Sequence, residues 1–318
     1  MSFVKRMATL AASGAALGGL GLVGFTALTA RKAEQMVPRD GRFLRVNDAR
    51  IHYVDMGSGP PIVMIHGLYG QMRNLTYALA ERLVKDHRVI VIDRPGCGYS
   101  TWTGAQDKGL RAQAAIIAQV IAALDLDRPL VVGHSMGGAV SLALALHAPD
   151  AVGGLALLAP LTQPVDEPGV FANLAIPSPT KREAVAWTLA TPMSLRRAEE
   201  QQRFVFSPDT PPADFATRGG GALALRPSAF RAASSDLCHA KDDMEAISPR
   251  YGEITMPVGI LFGEGDTLLD PMLHGTRTAD ALPNGELTVI EGGHMIPVTW
   301  PDKTAQWVLS QAKRISRE

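Results

Sequence analysis

One serine, one histidine and one aspartate of this chain sit where covalent chemistry would need them. Ser135 stands in "VVGHSMGGAV" (131–140), with Gly133 two residues before it and Gly137 two after. A serine hydroxyl is a weak nucleophile, and needs a positioned base, an orienter for that base and donors for the oxyanion. A Gly-rich turn can hold a serine with no role at all. If Ser135 is instead a nucleophile on a tight strand-to-helix turn, an acid and then a histidine must follow after later strands. A His-Gly loop should also follow an earlier strand.

Each of these can be found. In "ILFGEGDTLLDP" (260–271) a strand turns through Gly263 and Gly265 to Asp266. Glu264 comes too early in that turn, and Asp270, ahead of Pro271, suits the start of the next helix. Asp266 is therefore the expected acid. In "TVIEGGHMIP" (288–297) His294 follows two glycines that let the backbone turn sharply. The chain has 8 histidines, but only His294 combines a strand-end loop, flanking glycines and a position after the acid. The strand "PIVMI" (61–65) runs into "HGLYG", and the backbone N–H groups of Leu68 and Met136 are the expected oxyanion donors.

The elements that must hold these residues read as follows. "RFLRVN" and "RIHYVDMG" are extended runs around Asn47–Asp48, an expected hairpin. Strands at 61–65, 88–94, 129–134 and 152–160 alternate with helices at 74–87, 113–126 and after Ser135. The rhythm resumes with strands at 257–263 and 285–292 and helices near 271–281 and 302–314. Short apolar strands alternating with helices predict a mostly parallel α/β sheet covered on both faces. Ligands of such sheets bind at the carboxyl ends of the strands, where every residue above falls.

Between about 161 and 250 the rhythm breaks, and this stretch reads as an inserted, mostly helical cap on a core of 42–160 and 251–318. Its apolar residues (Phe171, Leu174, Val185, Trp187, Leu189, Phe204, Val205, Phe206) are too many for a disordered linker. Trp187, Phe204, Phe206 and Phe215, with Tyr69 from the His-Gly loop, are candidates for an apolar substrate pocket. The cap aromatics serve equally well as the cap's own small core.

Composition narrows the partners. Lys+Arg and Asp+Glu are both 31, so nothing favours nucleic acid electrostatically. Cys97 and Cys238 cannot build a disulfide framework and lack zinc-site spacing. Residues 1–35 form a separate segment, in which "MATLAASGAALGGLGLVGFTALTA" (7–30) carries no charge. As a helix it would span roughly 36 Å, enough for a bilayer core of about 30 Å. It is read as an uncleaved membrane anchor with the catalytic domain (36–318) on the exported side. The alternative is a signal removed from a secreted protein.

Taken together, "HGLYG", "DRPGCGYS" (93–100), "GHSMGG", "GEGD" (263–266) and "GGH" (292–294) resemble the α/β-hydrolase superfamily in its capped, esterase- or lipase-like form. The resemblance covers about residues 42–315. It implies Ser135 as nucleophile under a strained backbone, His294 as general base and acid, Asp266 as its orienter, and no metal or organic cofactor. "DRPGCGYS" is a landmark of that superfamily with no chemistry assigned. The expected activity is hydrolysis of a small, lipophilic carboxylic ester. A serine at 135 argues against the aspartate-nucleophile branches, the epoxide hydrolases and haloalkane dehalogenases. Rival readings are a carbon–carbon bond hydrolase, a cofactor-free perhydrolase and a non-enzymatic binding protein on the same scaffold. Oligomeric state is left open.

Overall fold

The computed structural model describes residues 3–103, 108–165 and 174–315, with side chains described from residue 18 onward. Helix α1 (Phe3–Met36) comes first. The expected hairpin follows as β1 (Arg42–Val46) and β2 (Ala49–Met56), turning at Asn47, whose left-handed φ of 46° asparagine tolerates well. Next come β3 (Pro61–Ile65), the short α2 (Arg73–Thr76), β4 (Arg88–Ile92), the two-residue β5 (Thr101–Trp102) and α3 (Leu110–Ala123). β6 (Leu130–His134), α4 (Met136–His147) and β7 (Gly154–Leu158) complete the first part of the core.

The inserted stretch carries α5 (Pro179–Thr188), α6 (Ala190–Phe206) and α7 (Pro227–Ile247). Residues 166–173, Phe171 among them, lie outside the described residues. The core resumes with β8 (Val258–Gly263), α8 (Arg277–Ala281), β9 (Gly285–Ile290), the short α9 (Ile296–Thr299) and α10 (Pro301–Ile315).

The strands form one sheet in the order β1-β2-β4-β3-β6-β7-β8-β9, with β5 paired to β2. From β4 to β9 all neighbours are parallel. Alternation along each strand divides the side chains between two cores. Val63, Ile65 and Val131 face Ile117, Val120, Val140 and Leu144 of α3 and α4. Ile62, Met64 and Val132 face Leu75, Leu79, Leu83 and the α10 residues Trp307 and Val308. Burial on both faces is why these strands read as unbroken apolar runs.

Two elements differ from expectation. The helix expected over 74–87 is only α2 followed by turns, in which Arg82 and Leu83 N–H donate to Leu79 and Ala80 carbonyls three residues back. Leu75, Leu79 and Leu83 are fully buried all the same, because tight turns keep them on one side. The helix expected at 271–281 opens with a wider π-helical turn over Pro271–Thr276.

The cap has a small core of its own in Ala186, Ala190 and Phe230, while Met244 and Ile247 of α7 reach into the main core. The end of α1 is docked: Ala33 and Val37 pack with Tyr99, Ala222 and Leu223, and Glu34 pairs with Arg226 at 3.2 Å. The expected membrane-spanning helix finds no support here. Among the described residues no helix is long and apolar enough to cross a membrane, and much of the apolar run 7–30 lies before residue 18.

Candidate active site

Ser135 joins β6 to α4 with φ 53° and ψ −119°, a left-handed conformation rare for a side-chain-bearing residue. Such strain costs about 1–3 kcal/mol and persists only where the surroundings enforce it. Three backbone bonds do so. Ser135 N–H donates to Leu158 O at 3.0 Å, and its carbonyl accepts from Gly138 N–H at 2.8 Å and Leu161 N–H at 3.0 Å. The flanking glycines are demanded by close approach. A Cβ at Gly137 would lie 2.2 Å from Ile65 O, and one at Gly133 would lie 2.5 Å from Gly137 O.

The two other expected side chains meet. His294 Nδ1 lies 2.8 Å from Asp266 Oδ2, both groups buried. A carboxylate only accepts, so the ring proton is on Nδ1 and Nε2 carries the lone pair. The other oxygen, Asp266 Oδ1, accepts from Leu268 N–H at 2.9 Å and Leu269 N–H at 3.1 Å. Burial pushes the Asp266 carboxyl up, but His294 beside it and these backbone donors outweigh that, and its pKa is lowered. Asp270, the rival, caps the following turn by accepting from Met272 N–H at 2.9 Å.

His134, just before Ser135, holds the histidine loop from the other side. Its Nε2–H donates to His294 O at 3.0 Å, and the two rings lie 5.0 Å apart. Among the described residues no hydrogen bond joins the Ser135 hydroxyl to the His294 ring. Such contacts are commonly long before substrate binds.

The His-Gly loop lies directly against Ser135, since a Cβ on Gly67 would be 2.9 Å from Ser135 Cβ. Met136 is the first residue of α4, so its N–H is among the donors a helix leaves without an internal partner. Tyr69 has φ 57°, and burial pushes its hydroxyl up to about 12. Phe206 and Phe215 pack edge to face at 4.9 Å and cluster with Met295 and Val298, beside His294. Trp187 instead donates from Nε1 to Glu183 at 2.8 Å, and Phe204 is 37% exposed. Burial pushes the Cys97 thiol up to about 12, which keeps it protonated.

Several residues around the site escaped the sequence reading. Asp209 of the cap accepts from Gly293 N–H at 3.0 Å, from Thr299 and from Trp300, and so grips the histidine loop. Arg94, in "DRPGCGYS", is completely buried beneath the His-Gly loop. Only the oddity of an arginine at an apolar strand end could have marked it.

Burial holds three histidines well below their ordinary value of 6.5: His66 and His134 at about 3, His274 at about 4. Their folded-state pKa values are depressed, so below 6.5 the unfolded chain takes up protons that the folded chain refuses. Between about pH 5.5 and about pH 4.5 that difference approaches three protons, and stability should fall by about 4 kcal/mol per pH unit lowered. Urea unfolding across this range is the measurement, and a flat profile would refute the buried neutral rings.

A family model described as alpha/beta hydrolase fold matches residues 60–299. A protein of Agrobacterium fabrum named as a carbamate hydrolase is 27% identical over 79% of this chain and 92% of its own length. A 2-hydroxy-6-oxo-6-phenylhexa-2,4-dienoate hydrolase of Burkholderia cepacia is 26% identical over 78% of this chain and 87% of its own. A solved alpha/beta hydrolase fold protein of Burkholderia ambifaria shares the fold with TM-score 0.71 at 24% identity, covering 85% of this chain and 97% of that one.

Proposed function

Because the chain belongs to the alpha/beta hydrolase fold family, we propose that it is a serine hydrolase cleaving a lipophilic carboxylic ester through an acyl-enzyme on Ser135. The observation that carries this reading is the strained Ser135 backbone, next to the His134 that bonds to His294 O, together with a buried His294–Asp266 pair whose tautomer leaves Nε2 free to accept a proton.

In this reading Ser135 Oγ attacks the ester carbonyl as His294 Nε2 takes its proton, and Asp266 stabilises the imidazolium that forms. The N–H groups of Leu68 and Met136 hold the oxyanion. Collapse of the tetrahedral intermediate breaks the bond to the alcohol, which leaves with the proton from His294. Water then gives a proton to His294 and attacks the acyl-enzyme, and as the bond to Ser135 Oγ breaks His294 returns that proton to Oγ and the acid departs. The apolar cluster of Phe206, Phe215 and Met295 next to His294 supports an apolar acyl group.

Dienoate and carbamate hydrolases among the relatives keep a second reading open, attack by the same Ser135 on a carbon–carbon or carbamate bond. The test has two parts. A fluorophosphonate should form an adduct that peptide mass spectrometry places on Ser135. Para-nitrophenyl esters should then show kcat/KM rising at least about tenfold from acetyl to octanoyl, since each buried methylene contributes about 0.8 kcal/mol. A steady decline with acyl length would remove the lipophilic ester. Labelling without ester turnover would move the second reading ahead, and no labelling would favour a binding protein.

Location belongs to the same proposal. The uncharged run of residues 7–30 supports an N-terminal anchor, whose catalytic domain we place on the exported side, and Leu20, Phe25 and Leu28 are exposed on α1. Retention of the full chain in carbonate-washed membranes would support it, and release by carbonate would not.

A further inference from the structure

The guanidinium of Arg94 makes four side-chain contacts, and two of them end on the loop that carries the first oxyanion donor. Nε donates to His66 O at 3.0 Å and Nη2 to Gly67 O at 3.1 Å. Nη2 also donates to Asp236 Oδ2 at 2.8 Å, and Nη1 to Gln113 Oε1 at 2.8 Å. Gln113 closes the group by donating to Asp236 Oδ1 at 2.9 Å. Arg94 is 0% exposed and Asp236 7%. Burial opposes the Arg94 charge, but Asp236 outweighs it and holds the guanidinium charged.

The carbonyl of Gly67 and the N–H of Leu68 belong to one peptide unit. In a trans peptide these two groups point in opposite directions. Whatever holds Gly67 O therefore aims the Leu68 N–H the other way. Gly67 O is held by Arg94, by His66 Nδ1–H at 2.9 Å and by Gly70 N–H at 3.3 Å. Only Arg94 among these comes from outside the loop, and Asp236, on cap helix α7, keeps it there. The loop is tied to the cap downstream as well, with Gln71 and Asn74 both donating to Gly219 O at 2.9 Å.

We propose that Arg94 is a positioning residue for the oxyanion hole, and that the cap takes part in setting that hole through Asp236. This rests on the serine-hydrolase reading of Ser135. Removing one oxyanion donor from a serine hydrolase costs about 10²–10³ in kcat, and a misaimed donor approaches that loss.

Removing Arg94 alone would strand a buried carboxylate, so the first variant is Arg94→Met with Asp236→Leu, which removes both charges together. The second is Arg94→Lys, which keeps a cation opposite Asp236 but lacks the fork that reaches both carbonyls. Both are measured on the full chain. The expected result is a kcat for a para-nitrophenyl ester lowered about a hundredfold with KM within about twofold. Inhibition by a trifluoromethyl ketone, whose adduct on Ser135 carries an oxyanion, should weaken by a similar factor. A merely structural role would lower the thermal midpoint while leaving the affinity of the folded fraction for the ketone unchanged. A folded variant with kcat and ketone affinity within about threefold of the parent overturns the proposal. Failure of the parent chain to take the fluorophosphonate on Ser135 would instead sink the reading beneath it.

Discussion

Ser135→Ala is expected to lower kcat by about four to six orders of magnitude while leaving the fold intact. The size follows from chemistry: without the hydroxyl there is no acyl-enzyme, and only the oxyanion donors and substrate binding remain to help water. That the fold should survive follows from the geometry. Alanine meets the same strain at φ 53° as serine, and the bonds that hold the turn use the backbone N–H and carbonyl. Steady-state turnover, with fluorophosphonate labelling and a thermal midpoint as controls, decides it. Retention of more than about one per cent of activity in a pure preparation would mean that another group is the nucleophile.

Asp266→Asn is expected to lower kcat by about 10³–10⁴, for a reason specific to this turn. Asp266 Oδ1 accepts from Leu268 and Leu269 N–H groups. Those donors will keep the amide oxygen of an asparagine on their side, which leaves its NH2 facing His294 Nδ1. An NH2 can only donate, so the ring must present a lone pair at Nδ1 and carry its proton on Nε2. In that tautomer His294 cannot take the proton of Ser135. The control is Asp270→Asn, where the side chain only caps a turn, and kcat should stay within about twofold. Equal losses at the two positions would show that neither carboxylate acts through His294.

Much of the site could be read from sequence. Ser135, Asp266 and His294 each sit in a strand-end turn marked by glycines, because the backbone there packs too closely for a Cβ at Gly133, Gly137, Gly263 and Gly293 and takes a φ of 112° at Gly292. The central strands were legible for a related reason. Burial on both faces removes polar alternation, so each becomes a short apolar run bounded by helices. The cap was legible only as an interruption. Its helices carry periodicity, but periodicity names a face and not the neighbour that face will meet. Phe204 accordingly turned up exposed and Trp187 half-buried against Glu183, while Phe206 and Phe215 went to Met295 beside His294.

By itself, then, the sequence determined the order of the central parallel strands, the strand-end turns that hold Ser135, Asp266 and His294 and the break in rhythm after β7, because each is written in neighbouring residues. Tertiary structure alone decided what aims them. Arg94 meets Asp236 across 142 residues, Gln71 meets Gly219 across 148, and Asp209 grips the histidine loop from 84 residues away. No local pattern encodes these pairs, because a buried polar group takes whichever partner the packing brings within reach. In this chain, packing brought the cap to the loops that flank Ser135.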